Sequence, residues 1–247
     1  MQKDLFSNHS STYKSFRPTY PDELFRYLAS LAPAADLVWD CGTGNGQAAA
    51  SLARHFKDVI ATDGSAKQLA EAPALPNVEY RVATAETSGL LSHSCDLITV
   101  AQALHWFDLD KFYAEAKRVL KPGGKLAVWC YGNSTIAPDI DVIDEHFYAV
   151  TLKGYWDPLR RLIDEGYRTI PFPFAEIKTP EFQLVMEWTL DQFIGYLDSW
   201  SAVQAYKTKN GKSPVPEVRS KLEKLWSEGI KRKVSWPLCL RVGSSPA

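Results

Sequence analysis

The stretch Val38-Trp39-Asp40-Cys41-Gly42-Thr43-Gly44-Asn45-Gly46 decides the fold of this chain. An apolar run ends at Asp40 and leads directly into three alternate glycines, after which a helical pattern begins at Gln47. Glycine lets the backbone adopt positive φ and approach a ligand closely, and a helix N-terminus offers N–H donors. In an open α/β sheet such a turn lies at the carboxyl ends of the strands, where ligands bind. The stretch therefore predicts a strand, a ligand-binding loop and a helix, although a glycine motif alone is also compatible with a tight turn.

Outward from this stretch, strand-like runs and helical patterns alternate five times with short connections. Further strands are predicted at 59–61, 78–82, 96–101 and 125–131, and the most regular helix at 108–120. This alternation is typical of a parallel sheet that is covered by helices on both faces. Residues 34–131 are therefore the predicted core, and they indicate a Rossmann-like α/β fold with a mostly parallel sheet.

Two further segments flank this core. Residues 1–33 hold a polar stretch with interleaved aromatics and then a helix that begins near Pro21, where proline suits the first turn. A predicted turn at 121–124 ends the helix before the last strand of the core. Residues 132–247 then contain predicted helices at about 139–150, 190–206 and 216–230 and predicted strands at 182–188 and 234–242. These two strands bring the sheet to seven. We expect a single domain, in which the helices between the last two strands form a lid over the mouth of the sheet.

Bulk composition excludes several classes of function. The 247 residues carry 28 basic and 29 acidic side chains and a net charge of −1, so we expect no general attraction to nucleic acid or to a membrane surface. Because neither a targeting segment nor an apolar run of membrane-spanning length is visible, a cytoplasmic location is expected. The four cysteines lack the spacing of a zinc site, so we expect reduced, mostly buried thiols and no metal. The oligomeric state stays open between monomer and homodimer.

A second acidic residue strengthens the interpretation of the glycine stretch. Asp63 ends the next predicted strand about twenty residues on, where a carboxylate accepts hydrogen bonds from the hydroxyls of a ribose. The alternative is a cap for the helix that starts near Ser65. The spacing D-x-G-x-G-x-G differs from the G-x-G-x-x-G that approaches a pyrophosphate, and Asp40 suits an ammonium group. The pattern therefore favours an adenosine ligand with an amino acid tail.

Four segments together resemble class I S-adenosylmethionine-dependent methyltransferases. They are the glycine stretch 38–46 as motif I, Val82–Glu86, Asp96–Phe107 and Val119–Gly124. Within the type 11 small-molecule branch, the chain is most similar to trans-aconitate methyltransferase-like proteins, through Tyr13, Phe16–Pro21, Leu104–Phe107 and Tyr196–Ser201. The resemblance implies S-adenosylmethionine as cofactor, S-adenosylhomocysteine as product, and a small-molecule methyl acceptor such as a carboxylic acid.

The resemblance also assigns residues to the cofactor. An N-terminal segment that folds over the cofactor implies a role for Tyr13, Arg17 and Tyr20. The remaining cofactor-binding residues are expected in and after the first four strands: Asp40, Cys41, Gly42, Thr43, Gly44, Gly46, Gln47, Asp63, Gly64, Ser65, Ala85, Glu86, Ala101 and Gln102.

The acceptor side is less determined by the sequence. His105 and Trp106 follow the fourth predicted strand and are the candidate catalytic residues, with His105 either a general base or a packed, hydrogen-bonded side chain. A carboxylic acid acceptor needs no base because it is already ionised at neutral pH, but it needs an anchoring cation. The candidate substrate-binding residues are Trp106, Arg161, Trp200 and Tyr206. Two alternatives remain, a methyltransferase that acts on a protein or nucleic acid and a non-catalytic S-adenosylmethionine-binding protein.

Overall fold

The structure, a computed structural model, describes residues 16–245, so Tyr13 lies outside it. Over these residues the chain forms two compact units. The core unit contains Tyr20–Tyr131, Arg161–Phe182 and residues 238–245, and the aromatic unit contains residues 16–19, Gly132–Arg160 and Gln183–Pro237. The segment 132–247, which the sequence analysis treats as one cap, is thus divided between the units.

Eight strands are present in the described residues: β1 (Leu37–Cys41), β2 (Asp58–Asp63), β3 (Val78–Val82), β4 (Cys95–Ala101), β5 (Leu120–Tyr131), β6 (Ala175–Ile177), β7 (Phe182–Trp188) and β8 (Arg232–Ser244). The strand order in the sheet is β3-β2-β1-β4-β5-β8-β6. Strands β1 to β5 are parallel, whereas β8 is antiparallel to β5 and β6. The predicted α/β fold with a mostly parallel sheet is therefore confirmed. β7 is an eighth strand, which pairs with β8 beside this path of seven.

Nine α-helices connect or flank these strands in the described residues: α1 (Asp22–Leu31), α2 (Gln47–Leu52), α3 (Ala66–Leu69), α4 (Leu109–Val119), α5 (Pro138–His146), α6 (Arg160–Asp164), α7 (Leu190–Asp198), α8 (Ser201–Asn210) and α9 (Val215–Leu222). Local chemistry accounts for several of their ends. The side chain of Asp108 accepts a hydrogen bond from the Lys111 N–H and caps α4. None of the described helices has the length and apolar character that a membrane span requires.

Three details of the predicted fold are corrected. The turn predicted at 121–124 belongs to β5, because the β4–β5 register shifts between Cys95 and Leu97 and the extra residues are absorbed as an irregularity in the strand. The helix predicted at 190–206 is two helices, because Trp200 has an extended backbone and acts as the N-cap of α8. The elements α6 and β6 were not predicted, since they are short and lie in a proline-rich segment.

Large aromatic side chains fill the interiors of both units. In the core unit Trp39, Phe112 and Trp129 are fully buried. In the aromatic unit the buried rings are Phe147, Trp188, Phe193, Tyr196, Trp200, Trp226 and Trp236. Burial of rings this large supplies most of the hydrophobic stabilisation in each interior.

Candidate active site

The glycine loop between β1 and α2 has the backbone that its sequence predicts. Gly42, Gly44 and Gly46 have φ of +70°, +57° and +78°, values that other residues adopt only with strain. The N–H groups of Gly42 and Thr43 both donate to the Thr62 carbonyl oxygen of β2, at 2.9 and 3.0 Å. The loop is therefore held against the carboxyl end of the neighbouring strand.

The three glycines differ in what surrounds them. A Cβ atom on Gly42 would lie 2.7 Å from the Ala103 side chain, and one on Gly46 would lie 2.7 Å from the Tyr80 hydroxyl. Among the described residues, a Cβ on Gly44 would lie within 4 Å of the Gln68 amide oxygen alone, at 3.9 Å. Packing thus requires glycine at two of these positions, whereas the described residues leave room beside Gly44.

Asp63 ties the glycine loop to the turn after β2. Its Oδ2 accepts a hydrogen bond from the Gly44 N–H at 2.9 Å, and its Oδ1 accepts one from the Ser65 N–H at 2.8 Å. The cap of α3 is Ser65, whose hydroxyl accepts from the Gln68 N–H. Because each carboxylate oxygen has a second acceptor site, Asp63 retains capacity for two ribose hydroxyls. The geometry fits the ribose role better than the alternative of a helix cap.

Asp40 is placed differently from the sequence expectation of a direct contact with an ammonium group. Its side chain is fully buried, and its two oxygens accept hydrogen bonds from the hydroxyls of Thr43 and Thr99. Burial raises the pKa of the Asp40 carboxyl to about 6, although these hydrogen bonds oppose the shift. The carboxylate has no accessible surface, so in this structure it stabilises the glycine loop through the hydrogen bond from the Thr43 hydroxyl.

Gln102 follows β4 at the same edge of the sheet and has a strained backbone, with φ of +58°. Its N–H donates to the Trp129 carbonyl oxygen, and its side-chain amide donates to the Tyr131 carbonyl oxygen at 3.0 Å. The side-chain oxygen is buried and has no hydrogen-bond partner in residues 16–245. Buried acceptors are rarely left unpaired, so we expect this oxygen to accept a hydrogen bond from a polar group of a bound ligand.

The structure brings most of the other predicted cofactor residues to this edge. Cys41 and Ala101 end β1 and β4, Gln47 begins α2, Gly64 is exposed beside Asp63, and Ala85 and Glu86 follow β3. Glu86 accepts a hydrogen bond from the Asp108 N–H at 3.0 Å. Tyr20 packs edge-on against Trp129 and Tyr131 in the core unit. Arg17 belongs to the aromatic unit, with its guanidinium 5.6 Å from the centre of the Tyr196 ring.

His105 lies in a 3₁₀ turn, Leu104–Trp106, just beyond the end of β4. The imidazole is 8% exposed, its Nδ1 is 2.8 Å from the Tyr167 hydroxyl, and it packs against the Trp106 ring at 4.7 Å. Tyr167 is fully buried, has φ of +57°, and its carbonyl oxygen accepts a hydrogen bond from Arg241. Sequence reasoning missed Tyr167, because a tyrosine in the left-handed region carries no local signal apart from the glycine before it.

The candidate substrate residues have different surroundings in the structure. Arg161 has 70% of its side chain exposed and pairs at 2.7 Å with Glu165, which follows the end of α6, and its assignment to the substrate stays a prediction. Trp200 is 4% exposed and packs among aromatic rings, which makes it part of the interior of its unit. Tyr206 is half-buried and stacks on Tyr155 at 4.8 Å. Trp106 lies in the 3₁₀ turn just beyond the end of β4.

This arrangement fits a cofactor that contains adenosine and an amino acid. Gly44 leaves open space beside the loop, Asp63 retains acceptor sites for a ribose, and the buried Gln102 oxygen lacks a partner in the described part of the chain. All three lie at the carboxyl ends of β1, β2 and β4, which are adjacent in the sheet. These are the places where ligands of open α/β sheets bind.

Comparisons with known proteins agree with this site. Residues 39–128 match the family model described as a methyltransferase domain. A Dictyostelium discoideum protein named as a methyltransferase is 40% identical over 227 residues, which cover 90% of this chain and 86% of the relative. A Saccharomyces cerevisiae protein named as an S-adenosylmethionine-dependent methyltransferase is 23% identical over 83% of each chain. A solved structure from Anaeromyxobacter dehalogenans, named as a type II methyltransferase, is 41% identical with a TM-score of 0.89, and the match covers 94% of this chain and 99% of that one. This chain belongs to the S-adenosylmethionine-dependent methyltransferases.

Proposed function

We propose that this methyltransferase acts on a small organic acceptor, and that the acceptor is a carboxylic acid, with trans-aconitate the first candidate. The observation that carries the proposal is the position of His105. Its buried ring lies 2.8 Å from the Tyr167 hydroxyl, just beyond the end of β4.

The residues of the cofactor side act by binding and alignment. S-adenosylmethionine supplies a methyl group on a positively charged sulfur, which is already electrophilic. The protein has to orient this donor toward the nucleophile and exclude water. Asp63 would hold the ribose, the Gly44 backbone would lie beside the cofactor, and the Gln102 side-chain oxygen, which has no partner within residues 16–245, would accept a hydrogen bond from it.

The acceptor side determines which nucleophiles are suitable. The Nδ1 atom of His105 lies 2.8 Å from the hydroxyl of Tyr167, a group that can orient an imidazole without supplying the negative charge that stabilises an imidazolium. This contact supports a positioning role for the His105 ring. A carboxylic acid is ionised at neutral pH, so it reacts without a base and suits this site better than a phenol or an ammonium group does.

The balanced charge of the chain supports a small acceptor over nucleic acid. The 28 basic and 29 acidic residues do not provide the excess of positive charge that phosphate backbones require. The relatives named above identify the reaction but not the acceptor, so the acceptor has to be found by direct assay.

The test begins with calorimetric titration of the full chain with S-adenosylmethionine and S-adenosylhomocysteine. The protein is then incubated with methyl-labelled S-adenosylmethionine and equal concentrations of trans-aconitate, other di- and tricarboxylic acids, phenols and amines. Label in a base-labile ester, formed at a rate that is nearly constant between pH 6 and pH 8, supports the proposal. Arg26→Gln, which removes an exposed charge from α1, is the matched control for surface charge, and its rate should equal that of the wild type.

Three outcomes would contradict the proposal. Label transferred only to phenols or amines would show that the site activates a protonated nucleophile. Label transferred only to protein or nucleic acid would exclude a small acceptor. Cofactor binding without transfer to any of these classes would favour the non-catalytic alternative.

A further inference from the structure

Two cysteines face each other across the β5–β8 pair in the core unit. Cys130 and Cys239 are direct register partners in this antiparallel ladder. Such partners have Cα atoms about 4.5–5.5 Å apart and side chains on the same face of the sheet. A disulfide spans Cα distances of about 4.4–6.8 Å, so the backbone already brings these two thiols within bonding range.

The surroundings of the two thiols are unequal. Cys130 is fully buried, whereas Cys239 is half-buried. The Cys130 thiol has two acceptors within reach, the Cys239 sulfur and the Ile163 carbonyl oxygen, which is 3.8 Å away. Gly166 makes room for Cys239, because a Cβ atom at that position would lie 2.7 Å from the Cys239 sulfur. Cys239 is thus the more accessible residue of the pair, and Cys130 lies fully buried beside it.

The electrostatic setting separates Cys239 from the other cysteines. The hydrogen bond from Cys130 and the nearby positive charge of Arg168 lower the pKa of Cys239 to about 6, although burial opposes the shift. Burial raises the pKa of Cys95 to about 12, and it raises that of Cys41 well above its usual range. Because the thiolate is the reactive form, Cys239 is the reactive cysteine of the four.

We propose that Cys130 and Cys239 form an oxidisable dithiol that hydrogen peroxide converts into a cross-strand disulfide. The Cys239 thiolate attacks a peroxide oxygen, the O–O bond breaks, and a sulfenic acid and hydroxide form. The Cys130 sulfur then attacks the Cys239 sulfur, the S–S bond forms, and the S–O bond breaks with release of water, which takes the thiol proton. In total two thiols lose two electrons and two protons, and one peroxide is reduced to two waters.

The test uses the full chain, first reduced and then exposed to a moderate excess of hydrogen peroxide. Intact mass under non-reducing conditions should fall by about 2 Da, and peptide mapping should link the peptides that contain Cys130 and Cys239. Dithiothreitol should restore the original mass. This wild-type measurement needs no substitution and therefore does not depend on how any variant folds.

Matched variants then assign the two roles. Cys130→Ser lacks the resolving thiol, so dimedone should trap a sulfenic acid at Cys239. Cys239→Ser should show no loss of mass, and Cys95→Ser, which removes a buried cysteine outside the pair, should oxidise like the wild type. Retention of all four thiols in the wild type, or an unchanged mass loss in Cys239→Ser, would overturn the proposal.

Discussion

The glycine loop of the core unit and the aromatic cluster of the other unit are held together by different interactions, hydrogen bonds in the loop and ring packing in the cluster. In the loop, Asp63 and the backbone of Gly44 place a few polar atoms at defined positions beside open space. The aromatic cluster, which we define as Phe147, Tyr148, Trp156, Tyr196 and Trp200, is built from rings whose centroids lie 5.5–6.1 Å from that of Trp200. Arg160 extends the cluster, because its guanidinium lies over both Tyr148 and Trp156.

The comparison teaches that the loop and the cluster should respond differently to substitution. A small change in the loop should alter cofactor affinity and leave most packing intact, since the contacts there involve few atoms. A change in the cluster should alter stability, because large apolar surfaces and dispersion contacts are lost together. Four substitutions test this contrast.

The largest effect is expected from Trp200→Ala in the aromatic cluster. Trp200 is 4% exposed, and truncation of a buried tryptophan costs about 3–5 kcal/mol of unfolding free energy. Chemical denaturation should show this loss, and Trp200→Phe should recover much of it. If Trp200→Ala kept wild-type stability but lost activity on every acceptor, Trp200 would belong to the substrate site after all and the contrast would fail.

The next effect is expected from Gly44→Val in the loop. The backbone there has φ of +57°, which strains a β-branched residue by roughly 1–3 kcal/mol, and the new side chain fills the open space. S-adenosylmethionine affinity should fall by about 100-fold or more, equal to about 2.7 kcal/mol, while circular dichroism stays native. Gly46→Val is the comparison, because it clashes with Tyr80 and should lower the melting temperature more strongly.

Asp63→Ala probes the carboxylate that bridges Gly44 and Ser65. Loss of charged hydrogen bonds to the ribose should weaken S-adenosylmethionine binding by about 1–3 kcal/mol, measured by calorimetry. The unfolding free energy should change less than the binding free energy does. Unchanged affinity would remove Asp63 from the cofactor site.

The smallest effect concerns a buried carboxyl in each unit. Burial raises the pKa of Asp144 from 3.8 to about 7, and its Oδ1 has no partner among the described residues. Because the folded pKa exceeds the unfolded one, the stabilising contribution is present below pH 3.8 and is lost as the pH rises through 7. Asp144→Asn should therefore gain roughly 1–2 kcal/mol of stability over the wild type between pH 5 and pH 8.

Asp40 supplies the control for this pH experiment. Its pKa is also raised, to about 6, but both of its oxygens accept hydrogen bonds from threonine hydroxyls. Asp40→Asn replaces one acceptor by a donor and should destabilise the loop at every pH. Suppose that Asp40→Asn and Asp144→Asn changed the unfolding free energy equally in urea titrations at pH 5 and pH 8. The hydrogen bonds that each carboxyl accepts would then not explain a difference between them.

The same contrast explains which features the sequence could predict. The strand, the glycines and Asp63 form one local pattern, and Asp108 caps α4 as its position predicts, because short-range geometry determines these contacts. Trp200 packs among aromatic rings and Arg161 is solvated, a difference that residue type alone does not reveal. Tyr167 reaches His105 across 62 positions of the sequence, and no periodic signal carries information over that distance.

The strand β8 has a consequence for how the chain acquires its structure. Its residues 238–244 pair with β5 and β6 in the core unit, its residues up to Pro237 belong to the aromatic unit, and it also pairs with β7. It is the last strand in chain order, and its partner β5 lies almost half the chain earlier. Such distant pairing forms slowly. During synthesis on the ribosome, β5 therefore keeps an open strand edge until residues 232–244 emerge, and this interval is when the nascent chain most needs protection from aggregation.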